Sequence, residues 1–414
     1  METNPLRLRA RHYATGQRVE LVCEQGRIAR LDTGEPAALA AGSGEPAALA
    51  AGCGEPAALA AGCGADVEAD WLAPALFDLQ INGCDGISFN SPHLSEDDIR
   101  RVVAVCRRHG IGALSPTLIT NSREALLHGF TAIHRACEAD ADLARALPAL
   151  HLEGPYISAE DGPRGAHPRG HVRPPDWDEF RRFQDAAGGR IRLVTLAPEL
   201  DGALPFIEKL TASGVVVALG HTAATSACIR AAITAGARLA THLGNGSHAL
   251  LPRHDNYLWE QLAAEELWAS VISDGQHLPP AVLRCILRVK TPARTILTCD
   301  ASSLAGLPPG RYREWDQELE VLPTGRIIVP DTSFLAGSGV FTDACIGHLL
   351  SLGEVSLADA LDMAGARPRQ LLGLEARPLQ VGAPADLVLF DWQAGGVFRI
   401  AATIIAGRLA IRLE

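Results

Sequence analysis

From Ala73 onwards the chain alternates short apolar runs with segments of helical character, and this alternation restricts the fold more than any other feature. A parallel sheet wrapped by helices produces such a pattern. In the segment "SEDDIRRVVAVCRRHG", for example, Ser95 is suited to cap a helix and Gly110 to end it. Eight strand-helix units over about 230 residues are the number in a (β/α)8 barrel. The runs predicted as strands are "ALFDLQIN", "IGALSPTLI", "LPALHLEG", "IRLVTLAPE", "GVVVALGH", "ARLATHLG", "ASVISDG" and "RTILTCDA".

The two ends of the chain have a different texture, which predicts a second, smaller domain. Residues 1 to about 33 contain the alternating runs "LRLRARHY", "VELVCEQ" and "RIARLD", separated by glycines as in β-hairpins. After Gly382 the chain returns to strand-like runs, "ADLVLFD", "GVFRIAATIIAG" and "LAIRLE". We therefore expect residues 1–70 and 380–414 to form one small split β-sandwich domain beside a catalytic barrel at 71–379.

A ten-residue unit occurs three times at 34–63, as "GEPAALAAGS" once and "GEPAALAAGC" twice. A Gly-Pro-Ala unit of this length has too little bulk to bury a face of its own. The sequence therefore predicts a surface loop, and we assign no function to its Cys53 and Cys63.

Composition excludes some partners. The formal charge of −11 argues against nucleic acid, whose phosphates need a basic surface, although a small anionic substrate needs only an arginine or two. The chain has no apolar run of about 18 residues that would predict a membrane span, and its N-terminus lacks the apolar core of a secretory signal. The ten cysteines are scattered without a CxxC motif, as expected for reduced thiols in the cytoplasm.

Four polar residues stand at the carboxyl ends of predicted strands, where a barrel places its active site: Glu153, His221, His242 and Asp300. Taken alone, His221 is more simply explained as a hydrogen-bonded histidine and Asp300 as a helix N-cap. On four strands of one barrel, however, they converge on the same rim. One carboxylate and two imidazoles suit a zinc-like divalent ion with an open position for water, and Asp300 then supplies a base.

An ordered set of motifs resembles a known family between about Leu76 and Phe390. They are "LFDLQINGCDGISFN", "HLEGPYIS", "VTLAPE", "GHTAAT", "THLGNG", "ISDGQH", "CDASSLAG" and "GAPADLVLFD". In order and spacing they resemble the N-acetylglucosamine-6-phosphate deacetylases of the amidohydrolase superfamily. The resemblance implies a (β/α)8 TIM barrel of the metal-dependent hydrolase type. It also implies a divalent metal held by Glu153, His221 and His242, with Asp300 as the general base.

The same resemblance assigns residues that contact substrate. His167, in "RGAH", matches a histidine beside the acetamide carbonyl, and His277 matches one that contacts the sugar. Asn245 and Gly246 lie in the loop whose backbone holds the phosphosugar. Arg253 falls at about the distance of the family's phosphate-binding arginine, although a loop arginine taken alone is more often a solubilising charge.

One departure bears on the number of metals. Superfamily members with two metals carry HxH on the first strand, where this sequence has Gln80, Ile81 and Asn82. Neutral amides are poor ligands beside imidazole. We therefore expect one divalent ion, zinc in the first place, with iron, cobalt and manganese as alternatives.

A second departure bears on the substrate. In "THLGNGSHALLPRH", Gly244 replaces an aromatic residue of the family's loop, and His248 and His254 are added. The sugar, and even its phosphate, therefore stay open at this point. We expect N-acetylglucosamine 6-phosphate to be hydrolysed to glucosamine 6-phosphate and acetate, with another N-acetyl amino sugar, phosphorylated or not, as the alternative. A catalytically silent barrel kept for assembly is the rival from another class. We expect an amino-sugar partner, no nucleic acid, no membrane and a homodimer.

Overall fold

The computed structural model of the chain describes residues 5–33, 65–314, 317–332 and 334–413. The predicted loop at 34–63, with its decapeptide repeat, lies outside the described residues. In the described ranges the strands are β1 (Leu6–His12), β2 (Arg18–Glu24), β3 (Arg27–Thr33), β4 (Val67–Pro74), β5 (Leu76–Ile81), β6 (Gly83–Cys84), β7 (Ile87–Ser88), β8 (Ile111–Ile119), β9 (Leu150–Glu153), β10 (Ile191–Leu196), β11 (Val216–Leu219), β12 (Leu239–Ala240), β13 (Trp268–Val271), β14 (Thr295–Leu297), β15 (Gly310–Glu314), β16 (Gln317–Val321), β17 (Ile327–Ile328), β18 (Leu387–Asp391), β19 (Arg399–Ile405) and β20 (Arg408–Arg412). The α-helices are α1 (Glu96–Arg108), α2 (Arg123–Ala139), α3 (Ala141–Ala146), α4 (Trp177–Ala186), α5 (Ala203–Ala212), α6 (Ser226–Ala235), α7 (Tyr257–Ala263), α8 (Pro280–Lys290), α9 (Thr342–Ser351), α10 (Leu357–Met363) and α11 (Ala366–Leu371).

Eight strands form a parallel sheet in the order β14-β13-β12-β11-β10-β9-β8-β5, and a helix follows each of them. Neighbouring strands pair in register, as Val194 does with Val217. The two outer strands meet at the carboxyl end, where Ile81 and Ala301 form a parallel bridge. The amide of Asn82 also donates to the carbonyl of Ala301 at 2.9 Å. All eight predicted strands are present, and the predicted (β/α)8 barrel is confirmed.

Helix α1 shows how local sequence signals set the element boundaries. The Ser95 hydroxyl accepts a hydrogen bond from the amide of Asp98, and the Asp98 carboxylate accepts one from the amide of Ser95, which is a capping box. Gly110 follows the helix with a φ of 74°. A Cβ there would lie 2.9 Å from the side chains of Val388 and Ile400 in the small domain. Glycine at this position therefore both ends the helix and allows the two domains to pack.

The small domain is one seven-stranded sheet with the order β20-β19-β18-β4-β1-β2-β3, so strands from both ends of the chain form a single sheet. The two groups meet where β4 pairs with β18, with Leu72 opposite Leu389. The amide of Ile28 donates to the carbonyl of Ala383 at 2.9 Å, which brings the far edge back to the C-terminal segment. Leucine, isoleucine and alanine side chains from both groups share one buried core. The domain boundaries near residues 70 and 380 stay predictions.

The strands β15, β16 and β17 form a separate antiparallel sheet inserted between β14 and α9. The sequence does not predict this insert, because the strands "GRYRE" and "QELEV" are short and rich in charge. The first run has no apolar alternation, and in the second Leu319 and Val321 alternate with glutamates only over 318–321, which is the shortest length that marks a half-buried strand. The insert matters for function because its turn and the segment after it reach the cavity described below.

Asp78 joins the first barrel strand to the last strand and to α9. Its side chain is fully buried. The carboxylate accepts hydrogen bonds from the hydroxyls of Thr298 at 2.5 Å and Thr342 at 2.6 Å, and from the amides of Cys299 at 2.8 Å and Gln80 at 3.0 Å. A buried carboxylate with four donors is satisfied, and its removal would leave those donors without an acceptor.

We predict that Asp78→Ala destabilises the protein by at least about 2 kcal/mol, since several buried donors lose their acceptor. The matched control is Asp97→Ala on α1, where the carboxylate is 89% exposed and pairs with Arg100; a surface change of this kind costs within about 0.5 kcal/mol. Urea unfolding monitored by circular dichroism measures both. Equal unfolding midpoints for the two variants would contradict the structural role of Asp78.

Candidate metal centre and active site

The four residues predicted at strand ends lie together on the floor of one cavity at the carboxyl rim of the barrel. Glu153 is the last residue of β9, His221 and His242 each stand two residues beyond β11 and β12, and Asp300 stands three residues beyond β14. The cavity has a volume of about 540 Å³, and these four side chains line it. The barrel topology therefore brings together residues that are up to 147 positions apart in the sequence.

Glu153, His221 and His242 form a compact cluster of three potential ligands. The Oε1 atom of Glu153 lies 3.3 Å from Nε2 of His221 and 3.1 Å from Nε2 of His242. The two imidazole Nε2 atoms are 3.1 Å apart. All three side chains are at least 94% buried. Electron-rich atoms this close repel one another unless a proton or a cation lies among them.

The orientation of His221 suits metal binding. Its Nδ1 atom lies 2.9 Å from the carbonyl oxygen of Pro163. A carbonyl only accepts, so Nδ1 carries the hydrogen, and Nε2 is the ring nitrogen that can offer a lone pair to a metal ion at the cluster. Gly246 allows this packing, because a Cβ there would lie 2.8 Å from Nδ1 of His221. Two imidazoles and one carboxylate are the donor set of zinc-type hydrolase centres, so the residues fit a divalent ion.

Gln80 and Asn82, which replace a second pair of histidines, act as hydrogen-bond donors. The amide nitrogen of Gln80 donates to Glu153 at 2.9 Å and to Asp300 at 3.1 Å, and that of Asn82 donates to Asp300 at 2.7 Å. A metal ligand would have to present its amide oxygen instead. Both amide oxygens are buried without a hydrogen-bond partner among the described residues. The pair thus holds the two carboxylates in place.

Asp300 has the properties of a base. Burial, together with the nearby charge of Glu153, raises the pKa of Asp300 to about 8. A cation bound at Glu153 would offset that repulsion and lower this pKa again. Both amide donors bond to Oδ1, so among the described residues Oδ2 has no partner and is available to a water molecule. A carboxylate with a raised pKa and a free oxygen can take a proton near neutral pH.

The backbone at the centre is strained. His221, His242 and Asp300 have φ values of 52°, 28° and 52°, in the left-handed region that side chains other than glycine rarely adopt. Each such residue costs about 1–3 kcal/mol, and such residues cluster at functional sites. The strain turns these three side chains into the cavity directly after their strands.

His167 lies against the cluster, with its ring centroid 4.2 Å from that of His221. Burial, and then the neighbouring His221, hold the pKa of His167 well below its usual range, so the ring is neutral. Its Nδ1 atom is 2.8 Å from the hydroxyl of Thr120. If Thr120 donates to Nδ1, the N–H of Nε2 remains free to donate into the cavity. Thr120 could not be predicted from the sequence, because a threonine after a buried strand carries no distinctive signal.

His277 also lines the cavity, as do Asn245 and Gly246. The Nδ1 atom of His277 bonds to Asp274 at 2.8 Å, and Asp274 also accepts from the hydroxyl of Ser338 at 3.1 Å. Burial alone would raise the pKa of Asp274, but the contacts with His277 outweigh burial and lower this pKa to about 2. Asp274 therefore orients His277 and is a much weaker base than Asp300.

Arg253 is exposed and is not among the residues that line the cavity within one chain. Its phosphate-binding role stays a prediction. His254 is exposed as well, and His248 bonds to Tyr257 at 3.0 Å and to Glu160 at 3.0 Å. The two added histidines thus do not face the cavity floor.

The structure places a different arginine in the cavity. Arg326 stands on the turn between β16 and β17, and among the lining residues it is the one with a permanent positive charge. Its side chain has no hydrogen bond or ion pair to another described residue. Gln276 supports the turn by donating to the carbonyl of Thr324 at 3.3 Å. Sequence reasoning missed Arg326, because the insert that carries it was not predicted.

No protein-family model matches this sequence, but individual proteins do. The N-acetylglucosamine-6-phosphate deacetylase of Bos taurus is 37% identical over 358 residues, which are 83% of this chain and 84% of that protein. This chain belongs to the N-acetylglucosamine-6-phosphate deacetylase family. The resemblance stated from the motifs is therefore confirmed.

A second relative and a solved structure are also similar to this chain. The N-acetylgalactosamine-6-phosphate deacetylase of Escherichia coli O157:H7 is 31% identical over 78% of this chain and 84% of that protein. A mutant N-acetyl-D-glucosamine-6-phosphate deacetylase from Mycobacterium smegmatis, solved in complex with N-acetyl-D-glucosamine-6-phosphate, superposes with a TM-score of 0.82 at 30% identity. That match covers 99% of this chain and 100% of the other, so the whole architecture is shared. Among the described residues, no helix has both the length and the apolar character needed to cross a membrane.

Proposed function

We propose that this chain is a metal-dependent hydrolase that removes the acetyl group from N-acetylglucosamine 6-phosphate and releases glucosamine 6-phosphate and acetate. The observation that carries the proposal is the contact of Glu153, His221 and His242 beside Asp300 on the floor of one cavity, in a chain of the deacetylase family. A barrel kept only for assembly would not account for buried ligand-type groups in mutual contact.

Glu153, His221 and His242 would hold one divalent ion, with zinc as the first expectation and iron, cobalt and manganese as alternatives. When bound, such an ion polarises an amide carbonyl and lowers the pKa of water from 15.7 to about 7. The donor contacts of Gln80 and Asn82 support a single ion, since their amide nitrogens face the carboxylates.

The chain's own residues would move the proton and hold the carbonyl. Asp300 takes a proton from the attacking water on its free Oδ2 atom while the water oxygen bonds to the acetamide carbon. His167 donates from Nε2 to the carbonyl oxygen, where negative charge develops. Asp300 then passes the proton to the departing nitrogen, the C–N bond breaks, and acetate and the free amine leave.

The rest of the cavity would bind the sugar and its phosphate. Asn245, Gly246 and His277 line the wall beside the cluster, and Arg326 lies at the mouth. An arginine whose guanidinium has no partner among the described residues suits a phosphate, which accepts two parallel hydrogen bonds from guanidinium. An N-acetylgalactosamine 6-phosphate is the second candidate substrate, since the Escherichia coli relative is named for that sugar.

We further infer a homodimer that works in the cytoplasm. Arg253 is exposed outside the cavity of its own chain, so a second copy is one way for it to reach a bound phosphate. All eight described cysteines are unpaired, which suits a reducing compartment. Sedimentation velocity on the purified protein measures the assembly directly.

We predict one tightly bound metal ion per chain, detected by elemental mass spectrometry, and its loss in His221→Ala. The control is His254→Ala, since this exposed histidine lies outside the cavity and the variant should keep its metal. About two ions per chain, or full metal retention in His221→Ala, would overturn the assignment.

We predict that Asp300→Asn lowers kcat by about 10²–10⁴, the usual contribution of a general base, while metal stays bound. Asp274→Asn is the comparison, because Asp274 is the other strand-end carboxylate near the site and its oxygens are engaged by His277 and Ser338. Near-normal kcat in metal-loaded Asp300→Asn, with a larger loss in Asp274→Asn, would move the role to Asp274.

We predict a higher kcat/KM for N-acetylglucosamine 6-phosphate than for N-acetylglucosamine, with the preference falling about tenfold or more in Arg326→Ala as a charge-assisted hydrogen bond is lost. Arg253→Ala, tested in parallel, should also reduce the preference if that arginine reaches the phosphate. The control is Arg311→Ala in the same insert, where Arg311 is 61% exposed and pairs with Glu318. A preference that neither Arg326→Ala nor Arg253→Ala changes, or equal kcat/KM for the two sugars, would mean that the phosphate is not recognised by these arginines.

A further inference from the structure

A second cavity lies at the opposite end of the barrel from the metal cluster. Its volume is about 520 Å³, and it lies between the small domain and the amino-terminal end of β5. On the side of the small domain it is lined by Tyr13, which follows β1, and Pro74, which ends β4. On the side of the barrel it is lined by Asp362 on α10, Arg369 on α11 and Arg377 after α11. This cavity is separate from the proposed active site and has no part in the proposed reaction.

Arg369 is the unusual feature of this cavity. It is 93% buried, since only 7% of its surface is exposed. Its guanidinium carbon lies 5.1 Å from the centre of the Phe77 ring, within the range of a cation–π contact. No described residue offers it a hydrogen-bond acceptor, and its Nε atom is both fully buried and unpaired. The guanidinium therefore lies between an aromatic ring and an open cavity.

The acidic groups nearby are engaged elsewhere. Asp362 accepts a hydrogen bond from the Tyr13 hydroxyl at 2.8 Å. Asp386 lies 3.6 Å from Nε of Arg377 and accepts from the amide of Ala406 at 2.8 Å. Glu375 pairs with Arg377 as well. Burial, and then the charge of Arg377, lower the pKa of Arg369 to about 10, so its surroundings leave the cation without full compensation.

A buried guanidinium without an acceptor is costly, because it has lost its hydration and gained no hydrogen bonds in exchange. Its planar fork matches a carboxylate or a phosphate, both of which accept two parallel N–H bonds. We propose that this cavity is a binding site for a small oxyanion, held in a bidentate manner by Arg369. The apolar wall formed by Pro74, Leu361 and Leu374 leaves room for an apolar body on the anion.

Thermal unfolding at constant ionic strength tests the site, with acetate, inorganic phosphate and chloride as the probes. In the wild-type protein we expect acetate or phosphate to raise the midpoint saturably, by about 2–4 °C relative to chloride. A response to acetate alone identifies a carboxylate ligand, and a response to phosphate alone identifies a phosphate ligand. No difference from chloride with either probe would mean that the cavity holds solvent, and would overturn the proposal.

Two variants separate this site from the metal cluster. Arg369→Met should abolish the anion response and unfold no earlier than wild type in chloride, since an apolar side chain replaces an unpaired buried charge. His221→Ala should keep the response, because it alters only the other end of the barrel. An anion response in Arg369→Met that is as large as in the wild-type protein, or the loss of the response in His221→Ala, would overturn the proposal.

A third measurement needs no variant. Crystals of the wild-type protein soaked in selenate should show an anomalous peak beside the Arg369 guanidinium, with selenate oxygens within hydrogen-bond distance of its nitrogens. If Arg369→Met does not fold, this peak decides the question together with the wild-type response. Water alone beside the guanidinium, with no thermal response, would count against the site.

Discussion

The closure of the barrel between its first and last strands is the constraint on which the site depends. The bridge between Ile81 and Ala301 joins the two strands at the rim. Further into the barrel, the buried carboxylate of Asp78 on β5 accepts hydrogen bonds from Thr298 and Cys299, which directly follow β14. Asp300 lies between these two connections. If the barrel stayed open here, Asp300 would no longer accept hydrogen bonds from Gln80 on β5 and Asn82 just after it. It would also no longer lie close to Glu153.

Closure also places two carboxylates in one buried site with different environments. Glu153 contacts two imidazoles, whereas Asp300 accepts hydrogen bonds from the amides of Gln80 and Asn82. Burial and the charge of Glu153 therefore raise the pKa of Asp300, whereas for Glu153 burial is outweighed by the two imidazoles, which hold its pKa well below the usual range. Pairs of carboxylates separated in this way commonly divide the roles in hydrolytic sites. Gln80 connects them, because one amide nitrogen donates to both.

The barrel and most of its rim could be predicted from sequence because both follow from local patterns. Apolar runs mark buried strands, and a polar residue directly after such a run must lie on the rim. Arg326 could not be found in this way, since it stands on an insert whose strands are short and rich in charge. Thr120 and the orientation of the Gln80 amide were also out of reach, because they depend on which neighbours the closed barrel supplies.

Arg253 shows the limit of reasoning from spacing. A position in a motif fixes the distance along the chain but not the direction of a long side chain on an exposed loop, and in one chain Arg253 lies outside the cavity. The chemistry of the site, by contrast, depends on short strand ends that the sheet holds rigidly. Relatives named for two different sugars match this chain over 83% and 78% of its length, which is expected if strand ends determine the reaction and the loops above them determine the substrate. In this chain Gly244 on one loop and Arg326 on the insert both line the cavity, so we propose these two segments as the determinants of substrate choice.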